Sequence, residues 1–501
     1  MNEKSIYNII NDALTSDGRL PNNFALKINT PAPNELRFAP GAAHNLFGGN
    51  GAQANKGAKK MVKLLQRDWK KGSSSDAQLL ALLKKYDTLS VADPVLDLIR
   101  KDYKNNDLQI IVDYASRLAF ETRNEELVKL GIILLGLIDL STFEEITDKL
   151  LTLALYEEFT LFSAVALGNC ASGNDTLFAL AQKIDGWGKI NVVERLAPET
   201  EEIRDWLLRK GCENCIMDAY LGLECAVKGD LITALRRNTL DEALFDGIST
   251  IIGALLDEGP ADGISAYEHA EEALQRYLQF AQTKATTLKH LWQIVNVQMA
   301  IENRADIACK ELRALCKDIT EKPTWQALIF ETLENPENEE LFFAVNVSNR
   351  LHLDITDVMF RAIKQHPIKH AAYLSIVCKN PDYARQLFEI YETTLPLDEM
   401  ATGMGDHLFA ETLRQEHLCL DWLLAELGKY PHSGIKLIQT ALKSPVTRER
   451  IFACKALKEW VDLLGQPLKT LSPELFTLLS DTVSIEVYPN TKAAMKELLR
   501  S

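Results

Sequence analysis

The stretch PVTRERIFACKALKEW, residues 445–460, decides how the chain is read. Continued to residue 464, it places Ala453, Leu457, Trp460, Val461 and Leu464 at three- and four-residue spacing. That spacing collects apolar side chains on one stripe of an α-helix, and a strand, with its period of two, cannot do so. The same rule governs the segments around it. Tyr383, Leu387, Phe388 and Tyr391 share one face, and Leu150, Leu151, Ala154 and Leu155 repeat the pattern. From residue 76 onward nothing interrupts it for more than a few residues. The breaks fall at 139–141, 171–174, 229–230, 380–381 and 444–445. They carry helix-end chemistry, with Ser141, Asn174, Asp230 and Asp382 as expected N-caps.

Short breaks between helices of about 10–16 residues make neighbouring helices antiparallel. A two-helix hairpin of that size cannot bury its apolar stripe alone, and stacking hairpins buries it. The expectation is therefore an all-α chain in the form of a HEAT-like α-solenoid. Residues 445–460 resemble the first helix of a HEAT repeat, and EEFTLFSAVALGN, residues 157–169, is a looser match.

Residues 1–75 follow a different pattern. A short helix at 5–14 is followed by Pro21, Pro31, Pro33 and Pro40, two short β-like runs at 24–28 and 35–39, and a glycine-rich turn, FGGNGAQANKG. A basic helix over 52–71 comes next, and Gly72-Ser73-Ser74-Ser75 reads as a linker. This segment is expected to be a small irregular cap over the end of the array. Met61, Leu64, Leu65 and Trp69 would face the array, and Lys59, Lys60, Lys63, Lys70 and Lys71 would be exposed, to pair with the acidic body, which net charge favours, or to meet an anionic partner. Thr320 to Pro323 is the second expected break, giving domains of 1–75, 76–322 and 323–501.

The 501 residues exceed a single core, which stops growing at roughly 250–300 residues. Fifty-five Lys and Arg against 70 Asp and Glu leave a net charge of −15, which opposes generic binding to nucleic acid or anionic lipid. The opening MNEKSIYNIINDAL mixes charge signs and has no continuous apolar run, so no export signal is expected. The most apolar stretch, 130–140, falls short of the ~20 residues that span a bilayer. Nine cysteines scattered through helical segments suit a reducing compartment. A cytoplasmic protein with no membrane span is the expectation.

Few residue sets offer chemistry. Cys212-Glu213-Asn214-Cys215 is a CxxC with Cys225 ten residues on. It is either a metal or redox pair or two small core residues at a helix start. Gly49-Asn50-Gly51-Ala52-Gln53-Ala54 fits GxGxxA at the mouth of a helix, where backbone amides can hold an anion. A dinucleotide site would also need strands on both sides. His366 with His370, and His407 with His417, have loose metal-pair spacings. No haem, flavin or metal motif is found.

Residues 186–196, GWGKINVVERL, are unusual for a helix-to-helix corner. Two glycines flank Trp187, and Asn191, Glu194 and Arg195 follow at i, i+3 and i+4. With Lys189 these residues form either a ligand-facing polar cluster or a structural corner. Together with TEEIRDWLLRKGCENCIM, residues 200–217, the stretch resembles a family from Gram-positive bacteria named limonene hydroxylase. The resemblance runs through much of the chain and most clearly from about 120 to 260. It implies oxidation of the monoterpene limonene to perillyl alcohol and carveol, with electrons from NADH or NADPH, and hydration to α-terpineol. It carries no catalytic residue onto this chain. The architecture implies something else, a non-enzymatic HEAT-like scaffold binding a protein partner on its concave face.

Overall fold

The computed structural model describes residues 4–21, 24–26, 39–47, 53–101, 107–259, 261–303, 310–405 and 414–500. Among these the chain is helical throughout, with no strand. It divides into two compact units. The first comprises residues 1–285 and 296–319, the second residues 286–295 and 320–501.

The first unit opens with α1 (Ile6–Asp12), α2 (Ala42–Phe47), α3 (Ala54–Lys71), α4 (Asp76–Tyr86), α5 (Thr88–Lys101), α6 (Leu108–Glu121), α7 (Glu125–Leu135) and α8 (Glu144–Ala154). It continues through α9 (Glu157–Gly168), α10 (Gly173–Ala181), α11 (Gly186–Arg195), α12 (Glu201–Trp206), α13 (Ala219–Lys228), α14 (Leu231–Leu235), α15 (Glu242–Leu256) and α16 (Ala270–Lys284). Alternate helices touch. α3 packs on α5, α5 on α7, α7 on α9, α9 on α11, α11 on α13, and α13 on α15. Helices in the middle of this row are buried almost all round. In α7 every residue from Leu127 to Leu135 is buried, and in α11 every residue from Gly186 to Val193. A helix enclosed on all sides is apolar all round, which is why the stretch 130–140 carries the chain's densest apolar run.

Within residues 1–75, α3 opens the row and buries Met61, Leu65 and Trp69, and the described residues before it run along the flank. α1 packs against α6 and α8, and the Ile6 amide donates to the Thr122 carbonyl at 3.0 Å. Arg19 donates to the carbonyls of Gln182 and Lys183, just past α10. Gly41 packs against Glu157 and Trp187, on α9 and α11. The described residues before α3 thus form a strap along the flank of the row. Its apolar residues Ile6, Ile10 and Leu26 join the core that α3 to α9 build. Of the two β-like runs, 24–26 is described without strand structure, and all but Ala39 of the rest lies outside the described residues.

The serine stretch after α3 is not a slack linker. The buried Asp68 carboxylate accepts from the Ser75 amide at 2.8 Å, the Ser75 and Ser73 hydroxyls at 2.7 and 3.0 Å, and the Tyr114 hydroxyl at 3.1 Å. Burial pushes this carboxyl up, but its hydrogen bonds outweigh that and hold it below the usual range. Arg117 then grips Asp76 with two bonds of 2.8 Å.

In the second unit the helix Thr447–Leu464 buries Ala453, Leu457 and Trp460, while Leu464 at the end of the expected stripe is exposed. The Trp460 indole donates to the Leu427 carbonyl at 2.8 Å. Arg450 and Glu486, both fully buried, pair through bonds of 2.7 and 3.1 Å. Arg450 also donates to the carbonyls of Ser444 and Gly405.

Candidate functional site

The residues singled out around 186–195 meet at the junction of α9, α11 and the α12 end. Asp185 caps α11, accepting the Gly186 amide at 2.8 Å. Gly186 adopts φ +59, and a Cβ there would stand 2.7 Å from the Glu157 carboxylate. That carboxylate comes from the first turn of α9 and accepts the Trp187 and Gly188 amides, the former at 2.9 Å. One helix's side chain thereby fills the positive N-terminus of the next. Burial and the nearby Asp185 charge raise the Glu157 carboxyl, against the lowering effect of the two amides.

The five expected residues separate. Trp187 is buried with its ring 5.0 Å from Tyr220. Asn191 is buried and donates back to the Trp187 carbonyl at 2.8 Å. Arg195 donates to the Asn191 carbonyl at 2.7 Å and lies at the surface beside Glu194. Burial raises the Glu194 carboxyl, with the Arg195 charge opposing. Lys189 turns the other way. Its buried ammonium donates to the carbonyls of Lys210 and Glu213 at 2.8 and 2.5 Å and sits 5.6 Å from the Trp206 ring. Burial lowers its pKa, and the Asp185 charge opposes the shift. The heads of Lys189, Asn191 and Arg195 are thus held by backbone carbonyls, as side chains of a structural corner are.

Cys212 and Cys215 also part company. Cys212 is buried and hydrogen-bonds to Cys225, which with desolvation pushes its thiol well up. Cys215 is exposed, and its amide donates to Asp185 at 3.0 Å. A π-helical turn, Leu207–Gly211, precedes the pair, and residues 212–217 between it and α13 are not helical, so the two side chains do not share a helix face. Gly49 and Gly51 lie outside the described residues. They fall between α2 and α3. His366 and His370 stand with ring centroids 6.1 Å apart, and His417 pairs with the buried Glu449 at 2.8 Å. His407 is outside the described residues. Among the described residues no three His, Cys, Asp or Glu side chains cluster as a metal site.

A buried charge cluster around Lys129 was not singled out from the sequence. Lys129, in the middle of α7, bonds Glu126 at 2.7 Å and Glu158 at 2.5 Å. Glu158 also accepts the Gly41 amide at 2.8 Å and lies 3.2 Å from His44 Nε2. Thr88 donates to Glu126. The His44 ring meets Phe162 edge-on at 5.2 Å, and Lys129 stands 5.9 Å from the same ring. Burial raises the Glu158 carboxyl, but His44, Lys129 and the Gly41 amide outweigh it and hold the pKa at about 2. Two successive glutamates are thus driven in opposite directions by their surroundings. The available signal was the sequence LVKLGIILL, because a lysine inside so apolar a run must have a buried partner.

Open grooves large enough for a small ligand occur in both units. In the first unit, Leu14, Leu151, Leu155, Ala179 and Leu180 line an apolar groove of about 530 Å³ with Asp148, Asp175 and Lys183 at its rim. In the second, Arg385, Glu389, Glu392, His432, Lys436 and Glu474 line a polar groove of about 420 Å³. No protein-family model matches this chain, and no curated protein matches it.

Proposed function

We propose that the chain is a HEAT-like helical-repeat scaffold that holds a protein partner on the concave face such stacks form. The row of alternate-helix packings from α3 to α15 carries this reading. In a repeat stack each hairpin meets its neighbours in this way, and the extended face that results is a binding surface. The use of Trp187, Lys189 and Asn191 as internal ties supports it from a second side. Purification of the tagged full chain from its host cells tests the reading. A stoichiometric complex with one protein is expected by light scattering. A monomer under every condition, in a preparation that oxidises limonene, would overturn it.

A second reading is limonene hydroxylation. The resemblance of residues 186–217 supports it, as does the apolar groove between α8 and α10, whose size suits a small ligand. On this reading Leu151→Trp and Leu180→Trp fill the groove and abolish formation of perillyl alcohol and carveol from limonene with NADH or NADPH. Product formation untouched by both substitutions would remove the groove from the reading.

A further inference from the structure

Helix α3 turns a row of cations outward. Its apolar face is spent, since Met61 and Leu65 are fully buried and Trp69 nearly so. On the other face Lys56, Lys59, Lys60, Lys63, Lys70 and Lys71 are all exposed, and none of the six is ion-paired among the described residues. Arg67 stands on the same face. The only acid in α3, Asp68, is buried and engaged with Ser73, Ser75 and Tyr114. The expectation that these lysines meet the acidic body of the chain is therefore not what the structure shows.

The row is a liability in the free protein. Lys56 with Lys60, and Lys59 with Lys63, are like charges at i and i+4 and repel. Lys56 also lies in the first turn, against the positive end of the helix dipole. The charge is concentrated here. Residues 53–101 hold eleven Lys and Arg against five Asp and no Glu, a local excess of six, so the rest of the chain stands at −21 within a total of −15. Cations recur at each turn from Lys56 to Lys71, a length of about 22 Å at 1.5 Å per residue.

We propose that this face of α3 docks an acidic segment of a protein partner, with Glu and Asp side chains alongside the lysine row. The inference rests on the scaffold reading. A membrane is disfavoured because α3 has no apolar face left to insert. A single nucleic-acid strand is disfavoured because Trp69 and the neighbouring Tyr86 are buried, leaving no aromatic platform for bases. A broad duplex would bring its phosphates against the acidic remainder, whereas a narrow peptide meets the row alone.

Fluorescence anisotropy of a labelled 20-residue poly-L-glutamate against the full chain tests this. Binding at 50 mM salt is expected, weakening at least tenfold by 200 mM as screening rises. The variant Lys59→Gln/Lys60→Gln/Lys63→Gln/Lys70→Gln should bind at least tenfold more weakly. A control, Lys443→Gln/Lys455→Gln/Lys469→Gln/Lys496→Gln, should stay within twofold. Relief of repulsion should leave the melting temperature of the first variant unchanged or raised. No binding at 50 mM salt, equal binding by both variants, or a lowered melting temperature would overturn the proposal. Tighter binding of a 20-base-pair DNA duplex or of phosphatidylserine vesicles would overturn the partner class. A chain that fails this titration and still co-purifies with a partner through another face loses the lysine row and keeps the scaffold.

Discussion

Gly186 sits where both backbone and space exclude a side chain. Its φ of +59 is costly for any residue with a Cβ, and the Glu157 carboxylate occupies the place the Cβ would take. Gly72 has the same φ with nothing within 4 Å. Gly186→Ala is therefore expected to cost about 2–3 kcal/mol and Gly72→Ala about 1 kcal/mol, read from chemical denaturation. Equal losses would show that the Glu157 contact is unimportant. Glu158 makes a second prediction. Its pKa is depressed from 4.5 to about 2 in the fold, so its contribution is full above 4.5 and is lost as pH falls from there toward 2. Glu158→Gln should lose about 3 kcal/mol at pH 7 and show a flatter stability profile in that window. An unchanged profile would remove Glu158 from the account. Neither residue announces its role in sequence. A helical period assigns Lys129 and Glu158 to faces, and the partner of each is set by helices that meet only in the fold. The CxxC leaves both readings open in sequence for a related reason, because spacing does not say which neighbours each thiol meets, and Cys212 is buried against Cys225 while Cys215 is exposed.

Individual helices were legible in the sequence, and their ends less so. Of four expected N-caps, only Asp230 caps its helix, accepting from the Thr233 amide. Asn380 caps the helix that Asp382 was expected to start, with Asp382 in its first turn. Asn174 bonds Ala197 across a loop, and Ser141 receives the Ala171 amide. Residues of the right type near a break have several orphan groups within reach, and tertiary neighbours decide among them. The N-terminal segment is legible as distinct, but composition does not say which apolar surface the residues before α3 will cover. As a flanking strap, α1 should matter through Ile6 and Ile10, both fully buried. Ile6→Ala and Ile10→Ala are each expected to cost about 2–4 kcal/mol. Losses under 1 kcal/mol, measured by urea titration, would mean that α1 is only loosely laid on α6 and α8. In the second unit, Glu486→Gln leaves Arg450 buried beside a neutral amide and should cost about 3–5 kcal/mol. A neutral effect there would show that the carbonyls of Ser444 and Gly405 suffice for the guanidinium.

At the scale of the molecule, the all-helical class follows from one repeated spacing sustained over more than 400 residues, and no segment described contradicts it. The stack was inferred from a hairpin's inability to bury its own stripe, and the alternate-helix packings agree with that physics. The charge asymmetry was half legible. Net charge suggested that the lysines of α3 would be neutralised from within, but a total is blind to geometry, and the acids lie elsewhere in the chain. Function was the least legible, because a binding face needs no motif. The central claim is that this chain works by holding an acidic protein. It is tested most directly by placing a photo-cross-linking amino acid at position 63 of the full chain in its host cells, with position 455 as the comparison. The account predicts one discrete adduct from position 63, to a protein whose cross-linked peptide is acidic, and none from position 455. No adduct from position 63, or the same adducts from both positions, would contradict it.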